Sequence, residues 1–270
     1  MALMMSAVPS LASGAASADE SEAVIGVDPL ALIGAGAAYS TILPSSGRYV
    51  LVDAGAARLF MIEDGKVADS MRVIVGKPAS STPVMKSMLQ SATLNPYWNV
   101  PTDLAQTIIA PRVLEQGASY LRKNRYVVVS EFGAEAREVS AESVDWKEVA
   151  AGRAKAFVRQ LPGRSNAMGR IKFGFAGSDG IFLHDTPDKQ LFAASERNLS
   201  NGCVRLEDAG RLARWLFGAD PAAPSAAPEQ IVSMPAGVPI VITYSRAPAP
   251  IELSLASLNC QSSPGRCDPE

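Results

Sequence analysis

Residues 181–187 read Ile181-Phe182-Leu183-His184-Asp185-Thr186-Pro187, and residues 200–205 read Ser200-Asn201-Gly202-Cys203-Val204-Arg205. Ile181-Phe182-Leu183 starts an apolar strand that delivers His184 to its end, and Asp185-Thr186-Pro187 turns the chain there so that the ring is exposed. Just upstream, Arg170-Ile171-Lys172-Phe173-Gly174-Phe175 alternates polar or small residues with apolar ones, the period of a strand with one buried face. Residues 176–180 turn that strand back. Downstream, Leu206, Leu212, Trp215 and Leu216 fall on a helical stripe across residues 206–217, so Cys203 is expected directly before a helix start. A thiolate there gains from the first N–H groups and the positive end of the helix dipole. Gly202 removes side-chain bulk beside the sulfur. His184, the chain's one histidine, titrates near neutrality, so it is able to take a thiol proton and return it to a leaving group. Read one at a time, Cys203 serves equally as a small buried hydrophobe, His184 as a structural side chain and Asp185 as a turn or cap residue.

Outward from this stretch the pattern is mainly β. Residues 49–52, 58–62 and 71–75 are strand-like, and Glu63-Asp64-Gly65-Lys66 supplies a turn, so consecutive antiparallel strands with a hairpin are expected. Asn95-Pro96-Tyr97-Trp98-Asn99-Val100-Pro101 is too rich in proline for a helix interior. Thr102 caps a short helix whose buried stripe is Leu104, Ile108 and Ile109, and Pro111 ends it or opens a second helix that stops at Gly117. Residues 126–129 are strand-like, and residues 149–160 read as a helix stopped by Leu161-Pro162-Gly163. Residues 238–244 form a closing strand. Residues 1–18, ending Ala16-Ser17-Ala18 before Asp19-Glu20, read as a signal peptide or as a flexible Ala/Ser-rich tail. Residues 19–47 read as a leader or linker, and residues 246–270 as a flexible tail.

Composition narrows the classes. Of the 270 residues 47% are hydrophobic and 19% charged, which suits a packed core, and the formal net charge of -2 leaves no basic excess for nucleic acid. No tract is long and apolar enough for an integral membrane helix. Cys260 and Cys267 bracket a short flexible stretch that either closes as a disulfide loop in an oxidising compartment or stays idle, and Cys203 is the remaining thiol. Three scattered cysteines and one histidine lack metal-ligand spacing, so no metal is expected.

Taken together, the His184 and Cys203 stretches resemble the catalytic signature of L,D-transpeptidases of the YkuD-like fold. Residues 95–101 and 162–173 are similar to the large periplasmic branch that contains YcbB-type enzymes. The resemblance covers about residues 48–245. It implies a mainly β catalytic domain with an inserted, partly helical capping subdomain at approximately residues 86–165. It also implies Cys203 as nucleophile, His184 as acid/base partner held by a backbone oxygen, and backbone N–H groups around Asn201, Gly202 and Cys203 as the oxyanion site. Arg205 matches the motif arginine, which fixes the loop or balances a substrate carboxylate; a plain ion-paired arginine is an equal reading. Many relatives carry histidine at Asn201, and asparagine is unable to titrate.

Tyr97 and Trp98 either wall a substrate cleft or pin the cap by core packing. Asn166 and Gly169 either join that cleft or organise the path to the His184 strand. The implied reaction needs no cofactor: a thioester forms on Cys203 from a tetrapeptide stem, and an amine of a second stem resolves it into a 3→3 peptidoglycan cross-link in the periplasm or cell envelope. Donor and acceptor stem peptides are the partners. The alternatives are an L,D-carboxypeptidase or endopeptidase, a lipoprotein-to-peptidoglycan ligase, and a catalytically silent wall-binding protein.

Overall fold

The computed structural model describes residues 46–175, 180–222 and 226–245, and within them the first strands are the short apolar runs of the sequence, buried on both faces. The signal-peptide stretch, the Cys260–Cys267 loop and the C-terminal tail lie outside the described residues. β1 (Arg48–Asp53) pairs antiparallel with β2 (Arg58–Glu63), and β2 with β3 (Lys66–Gly76). Asp64 and Gly65 both take positive φ, 49° and 73°, the geometry of a two-residue turn whose twist matches its strands. β3 is long enough to serve several partners: β2 along its first half, then β12 (Val204–Leu206), then β11 (Asn198–Ser200) at its end. The order β11-β3-β12-β10-β9-β4-β13-β1-β2 adds β4 (Met85–Leu94), β9 (Ile171–Phe175), β10 (Leu183–His184) and β13 (Gln230–Thr243). Because β2 also bonds β3, the ladder closes on itself.

Inward positions of this ring form one apolar core that includes Val50, Leu59, Phe173, Leu183, Val204 and Ile240. The helix α5 (Ala209–Phe217) lays Leu212, Ala213 and Leu216 against it. Asp208 caps that helix by accepting the Arg211 N–H at 2.8 Å, and Gly218 ends it at φ 79°. The helix therefore begins three residues later than the apolar stripe suggested. Leu206 belongs to β12, where Val204 and Leu206 alternate into the core, so a strand stands between Cys203 and the helix. The expected helix-dipole help for the thiolate is corrected accordingly.

Between β4 and β9 the chain leaves the ring and builds a second unit. β5 (Trp98–Val100), β8 (Phe157–Gln160), β6 (Tyr126–Val129) and β7 (Glu138–Val139) form a separate sheet in that order. With α1 (Thr102–Leu104), α2 (Ala110–Gln116), α3 (Ser119–Lys123) and α4 (Trp146–Ala150) it encloses its own core around Val100, Ile109, Val113, Trp146 and Val158. The insertion is thus partly helical, but its expected start near residue 86 falls inside β4, which pairs with β9 and β13. Met85, Met88, Leu89 and Ala92 fall at helical and not alternating spacing, which hid that strand. Pro111 shapes the link between α1 and α2: it lacks an N–H and crowds the carbonyl four residues back, and the helix widens into a π-turn over Ala105–Ile109. That turn leaves Ile108 48% exposed while Ile109 is buried, so only part of the expected stripe packs. The helix expected over 149–160 is also corrected. α4 stops before Gly152 at φ 72°, and Phe157–Gln160 is a strand whose Val158 and Gln160 alternate inward.

Since each unit has its own core, they should open separately. Ile109→Ala is expected to cost the cap about 2–5 kcal/mol. In native-state hydrogen exchange, protection should fall at β6 and β8 while β1 and β13 keep theirs; a uniform loss would show one cooperative unit instead.

Candidate active site

Parallel pairing of β10 with β12 sets Leu183 opposite Val204 and His184 opposite Arg205. Leu183 and Val204 are fully buried in the ring core, so strand alternation sends His184 and Arg205 to the other face together, and Cys203 directly precedes β12. The sequence stretches that nominated His184 and Cys203 are therefore brought side by side by neighbouring strands. Lys172 joins the same face, because it lies opposite His184 in the antiparallel β9–β10 register.

His184 is only 4% exposed, and its Nδ1 hydrogen-bonds the backbone carbonyl of Asp185. A carbonyl only accepts, so Nδ1 carries the proton and Nε2 is left as the acceptor. Burial holds the imidazole down to about 4, with the Asp185 carbonyl pulling the other way and the Arg205 charge adding to the depression. Burial pushes the Cys203 thiol up, opposed by a backbone hydrogen bond at Phe182 and by Arg205. The thiol points at the Gly180 carbonyl, with Sγ 3.6 Å away. At neutral pH the Cys203 thiol and the His184 imidazole are thus both uncharged. The Arg205 guanidinium stands 4.0 Å from Asp188 and favours negative charge on the sulfur.

The Asp185 carboxylate does not orient the ring. It accepts the Arg170 N–H at 3.0 Å and pairs with Lys189 at 2.8 Å, which locks the turn after His184. Gly169 backs onto this turn at φ 64°, and a Cβ there would meet Asp185 at 2.5 Å. Asn166 is fully buried: its amide donates to the Gln160 and Leu161 carbonyls and its oxygen accepts the Met168 N–H. Both residues therefore organise the path into β9 rather than line a cleft. Gln160, which the sequence did not single out, completes that turn by accepting the Ala167 N–H at 2.9 Å.

Trp98 turns into the cap core beside Tyr126, with ring centres 6.2 Å apart, so it anchors the cap. Tyr97 lies under the Arg159 guanidinium at 4.7 Å. Its N–H donates to Glu229 at 2.6 Å, and Glu229 pairs with Lys172 at 3.1 Å, which ties the entry of the cap to the strand facing His184. Asn201 is exposed. Gly202, at φ 117°, has its N–H taken up by the Ser200 hydroxyl at 3.1 Å, so the oxyanion donors expected over 201–203 do not include it. Glu229 and Lys172 carried no signal in the sequence, since their partners are far apart along the chain. Among the described residues no cluster of His, Cys, Asp and Glu is arranged to hold a metal, and no helix is long and apolar enough to cross a membrane.

The sequence profile of the YkuD L,D-transpeptidase catalytic domain matches residues 47–241. An L,D-transpeptidase homologue from Haemophilus influenzae is 34% identical over 176 residues, and that match spans 65% of this chain but 35% of the relative. Among solved structures, an L,D-transpeptidase from Mycobacterium smegmatis is 16% identical, with 73% of this chain and 59% of that one covered at a TM-score of 0.35. The catalytic domain of the E. faecium L,D-transpeptidase is 15% identical, with 73% and 97% covered at a TM-score of 0.32. Such scores are too low to carry structural detail across. The profile match is enough by itself, for it runs across most of the sequence and takes in His184 and Cys203: the chain belongs to the YkuD family of L,D-transpeptidase catalytic domains.

Proposed function

We propose that this domain is a cysteine-dependent acyltransferase that cross-links peptidoglycan stem peptides in the cell envelope. The observation that carries the reading is the imidazole of His184, fixed at Nδ1 by a backbone carbonyl and free at Nε2, on a strand paired with the one that Cys203 immediately precedes. Cys203 Sγ attacks the carbonyl at the L-centre of the third residue of a tetrapeptide donor while Nε2 takes the thiol proton. The negative charge then sits on the former carbonyl oxygen, where a backbone N–H of the Cys203 loop stabilises it. Collapse of this intermediate breaks the peptide bond, and His184 returns the proton to the departing D-Ala amine. A thioester remains on Cys203. An amine of a second stem attacks it, His184 accepts the amine proton, and the released sulfur recovers a proton as the 3→3 bond forms.

Because the resting pair is neutral, proton transfer accompanies sulfur attack instead of preceding it. Arg205 lowers the cost of the thiolate character that develops. The cap and its Glu229–Lys172 tie position the acceptor and exclude water, which favours cross-linking over hydrolysis.

Intact-protein mass spectrometry with a tetrapeptide-stem fragment should show a thioester that vanishes in Cys203→Ala. His184→Gln should cut turnover about 10²–10⁴-fold. Exchange at the wild-type rate in C203A would remove the nucleophile from the scheme. Product masses in the presence of competing amines and water report which acceptor resolves the thioester.

The buried imidazole also sets a pH dependence of stability. The unfolded chain protonates His184 near 6.5 and the folded chain only near 4, so protons taken up by the unfolded state withdraw stability as pH falls across that window. Stability from His184 is complete above 6.5 and gone below 4. Urea titrations should show this component in the wild type and not in H184Q; equal profiles would mean that the ring is solvated.

A further inference from the structure

The peptide joining Gly202 to Cys203 is held by side chains that play no part in the proton transfers above. Thr82 is 1% exposed, and its hydroxyl donates to the Gly202 carbonyl at 2.8 Å while accepting the Gly76 N–H at 2.9 Å. Ser200, equally buried, accepts the Gly202 N–H and donates to the Cys203 carbonyl at 2.6 Å. The Tyr244 hydroxyl in turn donates to the Thr82 carbonyl at 2.8 Å. Gly76 makes the arrangement sterically feasible: a Cβ there would lie 2.1 Å from the Ser80 carbonyl oxygen, so only glycine lets residues 80–82 fold over the end of β3.

A trans peptide is planar, and its C=O and N–H point in opposite directions. With the Gly202 carbonyl turned to Thr82, the Cys203 N–H must point away from Thr82. Among the described residues that N–H has no hydrogen-bond partner. Gly202 has no side chain to resist rotation of this peptide, so the hydrogen bonds are what fix its plane.

We propose that Thr82 is a positioning residue whose hydroxyl orients the Gly202–Cys203 peptide, so that the Cys203 N–H faces the oxyanion formed on the scissile carbonyl. The inference rests on Cys203 being the nucleophile. In chemical terms, Thr82 acts on the step that forms the C–S bond and moves the carbonyl electron pair onto oxygen, and it leaves the nucleophilicity of the sulfur unaltered.

Two reactions of the same sulfur separate these effects. Iodoacetamide alkylates the thiolate by displacement of iodide at a saturated carbon, with no oxyanion. Acylation by a tetrapeptide-stem fragment passes through one. Both are followed by intact mass in wild type, Thr82→Val, Thr82→Ser and Tyr244→Phe, with melting temperatures recorded. T82V should acylate about 10²-fold more slowly while its alkylation rate stays within about twofold, T82S should recover most of the acylation rate, and Y244F should show a smaller loss confined to acylation. Equal falls in both reactions for T82V and Y244F, or acylation of folded T82V at the wild-type rate, would overturn the role of Thr82. Absence of any wild-type thioester would overturn the nucleophile reading and this inference with it, whereas a wild-type thioester beside unchanged T82V acylation removes Thr82 alone.

Discussion

The proposed chemistry depends on the register of one short parallel pairing, Leu183 with Val204 and His184 with Arg205. β10 is only two residues long, so its own hydrogen bonds hardly specify that register. Core packing does: Leu183 and Val204 are both fully buried, and each large apolar side chain contributes roughly 1.5–3 kcal/mol by leaving water. A slip by one residue would carry His184 into the apolar core and Leu183 onto the reactive face. The same burial that stabilises the ring therefore fixes the side of the strands on which His184 and Arg205 stand. β9 on one side and β3 on the other hold the two strands in place.

Burial also decides the protonation states. Water is excluded from His184, so the ring stays neutral across the neutral range, and the thiol keeps its proton. The backbone carbonyl of Asp185 sets the tautomer without adding a second titrating group. The Asp185 carboxylate, bonded to the Arg170 N–H and to Lys189, pulls the imidazole up only weakly against burial, Arg205 and Lys189. Among the described residues only Arg205 brings formal charge to bear on both the imidazole and the thiol, and it acts in the same direction on each, against the imidazolium and toward the thiolate.

The ring strands β1, β2 and β3 were legible as short apolar runs with a turn at Asp64-Gly65 between them, and β9 by its alternation of apolar with polar or small residues. His184 and Cys203 were legible because each sits in a short stretch whose order is distinctive. β4 was silent: few of its side chains are buried, and its apolar residues Met85, Met88, Leu89 and Ala92 do not alternate. Residues 149–160 misled because Val149 to Val158 also fits a helical spacing, and the break at Gly152 depends on a left-handed backbone that the pattern alone does not reveal. Leu206 was taken into the helix because a strand end and a helix start join without a gap apart from the cap at Asp208. Thr82, Glu229 and Lys172 were beyond reach for a different reason. Their roles arise from partners distant along the chain, as in the 120-residue separation of Thr82 from Gly202, which only the closed ring brings together.

Because the chain has a single histidine, its imidazole nitrogens can be read without ambiguity by nitrogen-15 NMR of histidine-labelled protein. The account predicts a neutral ring protonated at Nδ1 throughout the neutral range, with no titration until the pH nears 4, and a shift at Nε2 when Cys203 is alkylated. An imidazolium at neutral pH, a proton on Nε2, or an imidazole indifferent to modification of the sulfur would contradict it.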